Sequence, residues 1–305
     1  MDFVVQTENH GLPQARHRVM LLGVREDMGK RQHHTLARSA AVSVREAIGD
    51  LPAIRSLLSR GHDSLEGWKA IFDELLVMLT RTAPDRCNFV REAFEMSRAG
   101  ESMPESAGGP YMPVSQAGPD EMPTGLANWI RDERVEGFIQ HEARAHMRAD
   151  LHRYLYAACY ARRYRGSPKV DEFPGELLPS HLNVHQENVP FRDRFRVQLA
   201  NQPSTTVVSH IAKDGHYYIH YDPAQCRSLT VREVARLQTF PDNYFFEGNR
   251  TQQYWQVGNA VPPFLARQVA AVVADLLEGG DRVTAQSEER SSRVDADLVT
   301  ELPAW

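Results

Sequence analysis

The stretch "NHGLPQARHRVMLLGV", residues 9–24, sets Arg16 and Arg18 directly before an unbroken apolar run, Val19 to Leu22. A polar loop that feeds such a run reads as a loop-to-strand junction. Residues 18–24 are apolar on both faces, which predicts a strand in a parallel or mixed sheet covered by helices, and so an α/β fold. "DFVVQ" (2–6) reads as a strand just before it. Two arginines at a strand edge usually form a solvated loop. Their meaning here depends on what the rest of the chain brings to them.

The chain has 305 residues, of which 42% are apolar, enough for a sizeable core in one large domain or two ordinary ones. A net charge of −5 neither demands nor excludes a polyanionic partner, so local clustering of Lys and Arg has to decide. Cys87, Cys159 and Cys226 are far apart and lack disulfide or zinc-ribbon spacing, which fits a reducing, cytoplasmic setting. "MDFVVQTENH" has an early acid and no apolar core, so no signal peptide is expected. No apolar run reads as long enough to cross a bilayer.

Further along, "SVREAIGDLP" (43–52) predicts a short helix ended by Pro52. "SLEGWKAIFDELLVMLTRT" (64–82) has Trp68, Ile71, Phe72, Leu75, Leu76 and Leu79 at helical spacing. Residues 99–125, rich in Gly, Pro, Ser and Met, read as a long loop. Residues 136–165 read as one helix with a basic polar face: from Gln140 to Lys169 there are seven Lys or Arg against two acids. "PFRDRFRVQL" adds Arg192, Arg194 and Arg196, and "STTVVSHIAKDGHYYIHYD" reads as a hairpin turning at Asp214-Gly215. In "RSLTVREVARLQTFP" (227–241), Thr230 and Glu233 have capping-box spacing, with Val231, Val234 and Ala235 on one face. In "QVGNAVPPFLARQVAAVVADLLEGG", Pro262 and Pro263 suit a helix start and Gly279-Gly280 its end. Its stripe Leu265, Val269, Val272, Val273 and Leu276 reads as buried. Residues 281–305 read as a disordered tail, apart from the final "LPAW".

Three of these segments, in this order, carry a resemblance. "GLPQARHRV" resembles the eighth ordered motif of the cytosine-5 DNA methyltransferases, "RSLTVREVARLQTFPD" the ninth, and "QVGNAVPP" with its amphipathic helix the tenth. The variable stretch between the first two lies where that family carries its target-recognition domain. The resemblance implies a partial Rossmann-like, S-adenosylmethionine-dependent methyltransferase sheet plus a mixed target-recognition domain. It divides the chain into a catalytic-domain remnant (1–50), a target-recognition domain with insertions (51–226), a segment returning to the catalytic domain (227–280) and the tail.

The chemistry implied is methyl transfer to carbon-5 of a cytosine flipped out of the duplex, after a cysteine attacks the ring. By resemblance, Gln14, Arg16 and Arg18 lie beside the flipped cytosine, one arginine on the base or its phosphate and the other orienting a neighbouring acid. Which is which stays open. Gly258, Asn259, Ala260 and Val261 would form part of the methyl donor's wall, Gly258 permitting a tight turn. Arg232 and Arg236 read as scaffold. DNA contact would fall to Arg144, Arg148, Arg153, Arg162 and Arg163, and to Arg192, Arg194 and Arg196.

The family pattern also needs a glycine-rich donor loop, a Pro-Cys nucleophile and a Glu-Asn-Val segment, all before the eighth motif, where only eight residues stand ahead of Asn9. None of the three cysteines follows proline in a loop, so each reads as an ordinary thiol. Glu187-Asn188-Val189 repeats the glutamate tripeptide on the wrong side of the eighth motif and reads as coincidence. His210, His216 and His220 with Cys226 could suggest zinc, but a hairpin edge is an ordinary home for such residues, and no metal is expected. His33-His34 reads as exposed loop. The expectation is the C-terminal part of a DNA (cytosine-5-)-methyltransferase, acting on double-stranded DNA with S-adenosylmethionine held at a partial site. A complementary subunit would bring the nucleophile, and no membrane is involved. The competing readings are a non-catalytic DNA-binding protein that reuses the recognition domain, and a truncated, inactive remnant.

Overall fold

The computed structural model of the chain describes residues 4–26, 34–98, 103–179 and 192–278. β1 (Val4–Gln6) opens it, and β2 (Gln14–Ala15) and β3 (His17–Val19) follow a 3-10 turn at Thr7–Asn9. β1 and β3 pair antiparallel, with Val5 opposite Arg18. Thr7 closes the loop between them: its buried hydroxyl donates to the Gln14 carbonyl at 2.5 Å and accepts from the Arg16 N–H at 3.0 Å. Gly11 turns at φ +78°, a backbone conformation that suits glycine. The covered strand expected over 18–24 is not present. β3 stops at Val19, and Leu21 is 87% exposed, with Val19, Leu22 and Val24 also at the surface. No described residue covers this run.

α1 (Val44–Ile48) carries a full Ser43–Glu46 capping box and follows the predicted span. After β4 (Leu57–Leu58), α2 (Leu65–Thr82) is capped by Ser64 and buries Trp68, Ile71, Phe72, Leu75 and Leu79, as the spacing predicts. α3 (Pro84–Ser97) starts on a proline, where a missing N–H costs nothing. The predicted loop at 99–125 holds β5 (Gly108–Pro113) and the first residues of α4 (Thr124–Ile130).

The helix expected over 136–165 is cut by two strands, β6 (Gly137–Glu142) and β7 (Ala145–His146), so α5 covers only Arg148–Tyr164. Pairing overrides the helical pattern. β6 lies antiparallel to β5, with Tyr111 opposite Ile139, and β7 lies parallel to β4. A Cβ on Gly137 would sit 2.5 Å from the Tyr111 ring, so this strand crossing needs a glycine. Gln140 takes a positive φ of 58°, and its side chain exchanges two hydrogen bonds with the Phe246 backbone.

The hairpin expected over 204–222 is also replaced. β8 (Ser204–Thr205) pairs parallel with β2, a 3-10 turn spans Ser209–Ala212, and Ile219 bridges to Val197 and Ser228. Gly215 does turn, at φ +78°. α6 (Val231–Leu237) has the predicted Thr230–Glu233 capping box, and α7 (Arg250–Asn259) leads to α8 (Pro263–Glu278). By composition, Arg250–Glu278 is apolar enough to pass for a membrane span, contrary to the sequence expectation, but α7 and α8 are separate helices divided at Ala260–Pro262. On α8 only Leu265 and Leu276 are buried, while Val269, Val272 and Val273 are half-buried, less than the stripe predicted.

The fold is mixed α/β, as expected, with the strands in four two-stranded pieces among the described residues. One core joins α2, α3 and α5 through Trp68, Phe72 and Phe94, with the Phe72 and Phe94 rings stacked at 4.2 Å. A second joins α1, α6 and α7 to Val207, Ile211 and Tyr218. A third seats α4 and Phe264 around Val42. Glu187–Val189, His33, Gly279-Gly280 and the 281–305 tail lie outside the described residues.

Candidate functional site

Two buried amides tie the three motif segments together. Gln14 is fully buried. Its Nε2 donates to the Leu237 carbonyl at 3.1 Å and to Gln238 Oε1 at 2.6 Å, and its Oε1 accepts from the Val207 N–H at 2.9 Å. Gln238 Nε2 in turn donates to the carbonyls of Val257 and Ala260. Gln14 is therefore not a pocket wall, as the resemblance implied. Its hydrogen-bonding groups are consumed in holding the eighth segment against the ninth, and Gln238 extends the tie to the tenth. Gln238 passed unnoticed in the sequence because one glutamine in a helix carries no pattern.

Arg16 and Arg18 differ. Arg16 is half-buried, and its Nη1 donates to the Val207 carbonyl at 3.0 Å. Burial, then the nearby Arg18 charge, lower its pKa. Arg18 is exposed, and its Nη1 donates to the neighbouring His17 carbonyl at 2.7 Å. Among the described residues, its other guanidinium donors meet no acceptor. The acid beside them, Glu8, pairs with His17 at 2.7 Å.

The expected wall for a methyl donor is only partly available. Gly258 lies inside α7, not in a turn, and a Cβ there would meet Ser209 N at 2.4 Å and Val208 C at 2.5 Å. The missing side chain lets α7 press on the backbone of 208–209, which leaves no cradle for a ligand. Asn259 and Val261 are exposed and Ala260 is half-buried. These four residues do not by themselves form a donor site.

The ninth segment is scaffold, as read. Arg232 donates to the carbonyls of Ile139, Pro241 and Tyr244, and burial lowers its pKa to about 10. Arg236 holds Asp242 through two bonds and also pairs with Asp50. Arg227, unremarked in the sequence, makes a buried two-bond pair with Glu233, both at 2.7 Å, and a further bond to the Ile54 carbonyl. That pair holds the Glu233 carboxyl well below its ordinary value against the opposing effect of burial.

The arginines expected on DNA are mostly occupied. Arg148 pairs with Glu74, Arg153 with Asp150, Arg192 with Asp171 and Arg196 with Asp193. Arg144 donates to the Ile211 carbonyl and lies 4.2 Å over the Tyr254 ring, and Arg162 donates to the Met96 carbonyl. Among the described residues, Arg163 and Arg194 have no carboxylate partner. On α5, Arg148 is held by Glu74 of α2 and Arg153 by Asp150 of α5 itself, while Arg162 meets a carbonyl and Arg163 meets no carboxylate among the described residues. His216 bonds the Tyr154 hydroxyl at 2.7 Å, and His220 is buried 3.6 Å from Glu233. All three cysteines are buried, and burial pushes the Cys159 and Cys226 thiols far up, which makes them poor nucleophiles.

Comparison with known proteins meets this geometry. The C-5 cytosine-specific DNA methylase model, a family that uses S-adenosylmethionine, matches residues 107–274. The chain is 34% identical over 280 residues to the type II methyltransferase M.Bpa9945I of Bacillus paralicheniformis, covering 90% of this chain and 51% of that protein. It is 41% identical over 105 residues to the type II methyltransferase M.AquIB of Picosynechococcus sp., covering 31% of this chain and 72% of that protein. It is 44% identical over 77 residues to the DNA (cytosine-5-)-methyltransferase M.ApeKI of Aeropyrum pernix, covering 25% of this chain and 16% of that one. The chain spans about half the length of the first of these relatives. The ordered segments tied by Gln14 and Gln238, and the family match that contains two of them, lead to one conclusion: this chain belongs to the C-5 cytosine-specific DNA methylase family.

Proposed function

We propose that the chain is the recognition part of a DNA (cytosine-5-)-methyltransferase that modifies double-stranded DNA, in the restriction–modification setting that the names of its relatives support. It works with a complementary polypeptide that carries the nucleophilic cysteine and most of the donor site. The observation that carries this reading is the Gln14–Gln238 tie, which gathers three motif segments behind an exposed Arg18. Two others support it. The cysteines here are buried and unactivated, and the run Val19–Val24 offers an uncovered apolar edge. M.AquIB, short enough for 105 aligned residues to cover 72% of it, supports the idea that a segment of this kind can stand as its own chain.

In this reading Arg18 binds the flipped cytosine or its phosphate through its free donors. Arg16, fixed to the Val207 carbonyl, is a positioning residue for the strand that presents Arg18. The complement's cysteine adds to the ring and activates carbon-5. S-adenosylmethionine, when bound, supplies the methyl group. Asn259 and Val261, both exposed, would line its site from this chain.

Covalent trapping on duplex DNA containing 5-fluorocytosine tests the proposal. This chain mixed with a polypeptide carrying the donor loop and Pro-Cys segment is expected to give an adduct on that polypeptide. Arg18→Ala should abolish the adduct and leave the melting temperature of this chain unchanged. An adduct formed by this chain alone would overturn the proposal. DNA binding with no adduct under any pairing would favour the non-catalytic reading.

A further inference from the structure

A cavity of about 510 Å³ is lined by Arg194, Val208, His210, Lys213, His216 and Tyr218, together with Asp214 and Tyr217. Val208 joins this lining to the 206–208 backbone. Arg16 grips that backbone at the Val207 carbonyl, Gln14 holds its Val207 N–H, and Gly258 packs behind Val208–Ser209. The Tyr218 hydroxyl locks the same wall, donating to the Thr206 carbonyl at 2.9 Å and accepting from the Val208 N–H at 3.1 Å. The cavity is therefore rigidly attached to the motif segments.

Its charge is positive and uncommitted. Lys213 is exposed and Arg194 half-exposed, and neither meets a carboxylate among the described residues. Asp214 is the one acid in the lining. Its Oδ1 accepts from the His216 N–H at 3.0 Å, and its Oδ2 lies 3.7 Å from the His216 ring, so it is turned into its own loop. The neighbouring Asp193 is also taken, by Arg196 and by the Tyr217 hydroxyl. On α5, by comparison, Arg148 and Arg153 are each held by a carboxylate.

We propose that this cavity is a backbone-phosphate clamp for the DNA strand next to the target cytosine, with Lys213 and Arg194 as its contacting cations. The inference rests on the methyltransferase reading for the identity of the DNA, and it moves the phosphate contacts off the α5 face. Two cations flanking a concave, tyrosine-floored wall suit a phosphodiester, which needs charge and donors without base-edge recognition. Fixed to Arg16 through Val207, the clamp sets the distance from the strand to the pocket.

The test is fluorescence anisotropy of a labelled DNA duplex with the full chain over a series of salt concentrations. Lys213→Gln with Arg194→Gln should weaken binding and flatten the log–log salt dependence by about 0.9 for each contact removed, roughly 1.8 together. Arg91→Gln, an exposed change on α3, should leave the slope unaltered. A double variant that melts like the parent and keeps the parent slope would overturn the clamp, as would an equal loss from Arg91→Gln. If the slope changes as expected but 5-fluorocytosine trapping never occurs with any complement, the clamp stands and the methyltransferase reading falls. If trapping occurs and the slope is unchanged, the reverse holds.

Discussion

His141 and His220 are buried to 0% and 2% exposure beside the Arg227–Glu233 pair, and desolvation lowers their pKa values to about 4 and about 3. Burial keeps His141 neutral, while its Nε2 donates to the Pro52 carbonyl at 2.8 Å and its Nδ1 lies 3.0 Å from the Thr230 hydroxyl. An unfolded chain takes up protons on these rings below about 6.5, while the folded chain does not. Their contribution is therefore complete above that value and is lost as pH falls from 6.5 towards 4. Glu233 is depressed as well, by its pair with Arg227, and its contribution is lost only below the ordinary glutamate range. Between pH 6.5 and 5 the loss belongs to the histidines, at up to about 1.4 kcal/mol per pH unit for each ring. Denaturant titrations at pH 7.5 and pH 5 should show this fall, and His220→Gln should make it shallower. Equal stability at the two pH values would contradict it. At this scale the sequence was legible where residues sit in a spaced motif: Thr230 with Glu233, and Arg232 and Arg236 as scaffold. The carbonyl partner of Gln14 and the part played by Gln238 were not legible, because whether an amide faces a ligand or a carbonyl depends on contacts some 220 residues away.

Helices were the most readable elements, since α1, α2, α6 and α8 announce themselves by caps, prolines and spaced apolar residues. Strands were not. β6 sits inside a helical-looking pattern, and what decides it is its partner β5, which lies in a stretch of glycine and proline that reads as loop. The 3-10 turn at Ser209–Ala212 replaces a predicted strand because α7 packs directly on it. That packing gives a sharp test. Gly258→Ala would push a methyl group to 2.4 Å from backbone that no side-chain rotation can relieve. We expect a loss of about 2–3 kcal/mol, visible as a lower melting temperature, and failure of the 207–208 wall to hold Arg16. A Gly258→Ala chain as stable as the parent would show that α7 can slide away from the turn without penalty.

For the molecule as a whole, three larger cores and a small cluster of Ile54, Met112 and Ala143 hold the described residues together, yet the apolar run after β3 and much of α8 remain uncovered. The both-faces-apolar pattern of residues 18–24 predicts a covered strand, but β3 ends at Val19, and Leu21, Leu22 and Val24 are exposed. Sequence periodicity reports that a run is apolar, not what packs on it. If a complement docks there, Leu21→Asp should abolish co-purification with it while leaving the melting temperature of this chain unchanged, because Leu21 is 87% exposed. Unimpaired co-purification would place the contact elsewhere.

The glutamine tie also sets a timetable. Gln14 is made early in synthesis, but its partners Leu237, Gln238 and Val207 come roughly two hundred residues later, and Gln238 itself waits for Val257 and Ala260. Contacts so distant along the chain close a long loop and are slow to form. The helical cluster of α2, α3 and α5 can fold on the ribosome while the first hairpin still has nothing to hold. The arginines that open the sequence are thus among the last residues to find their place.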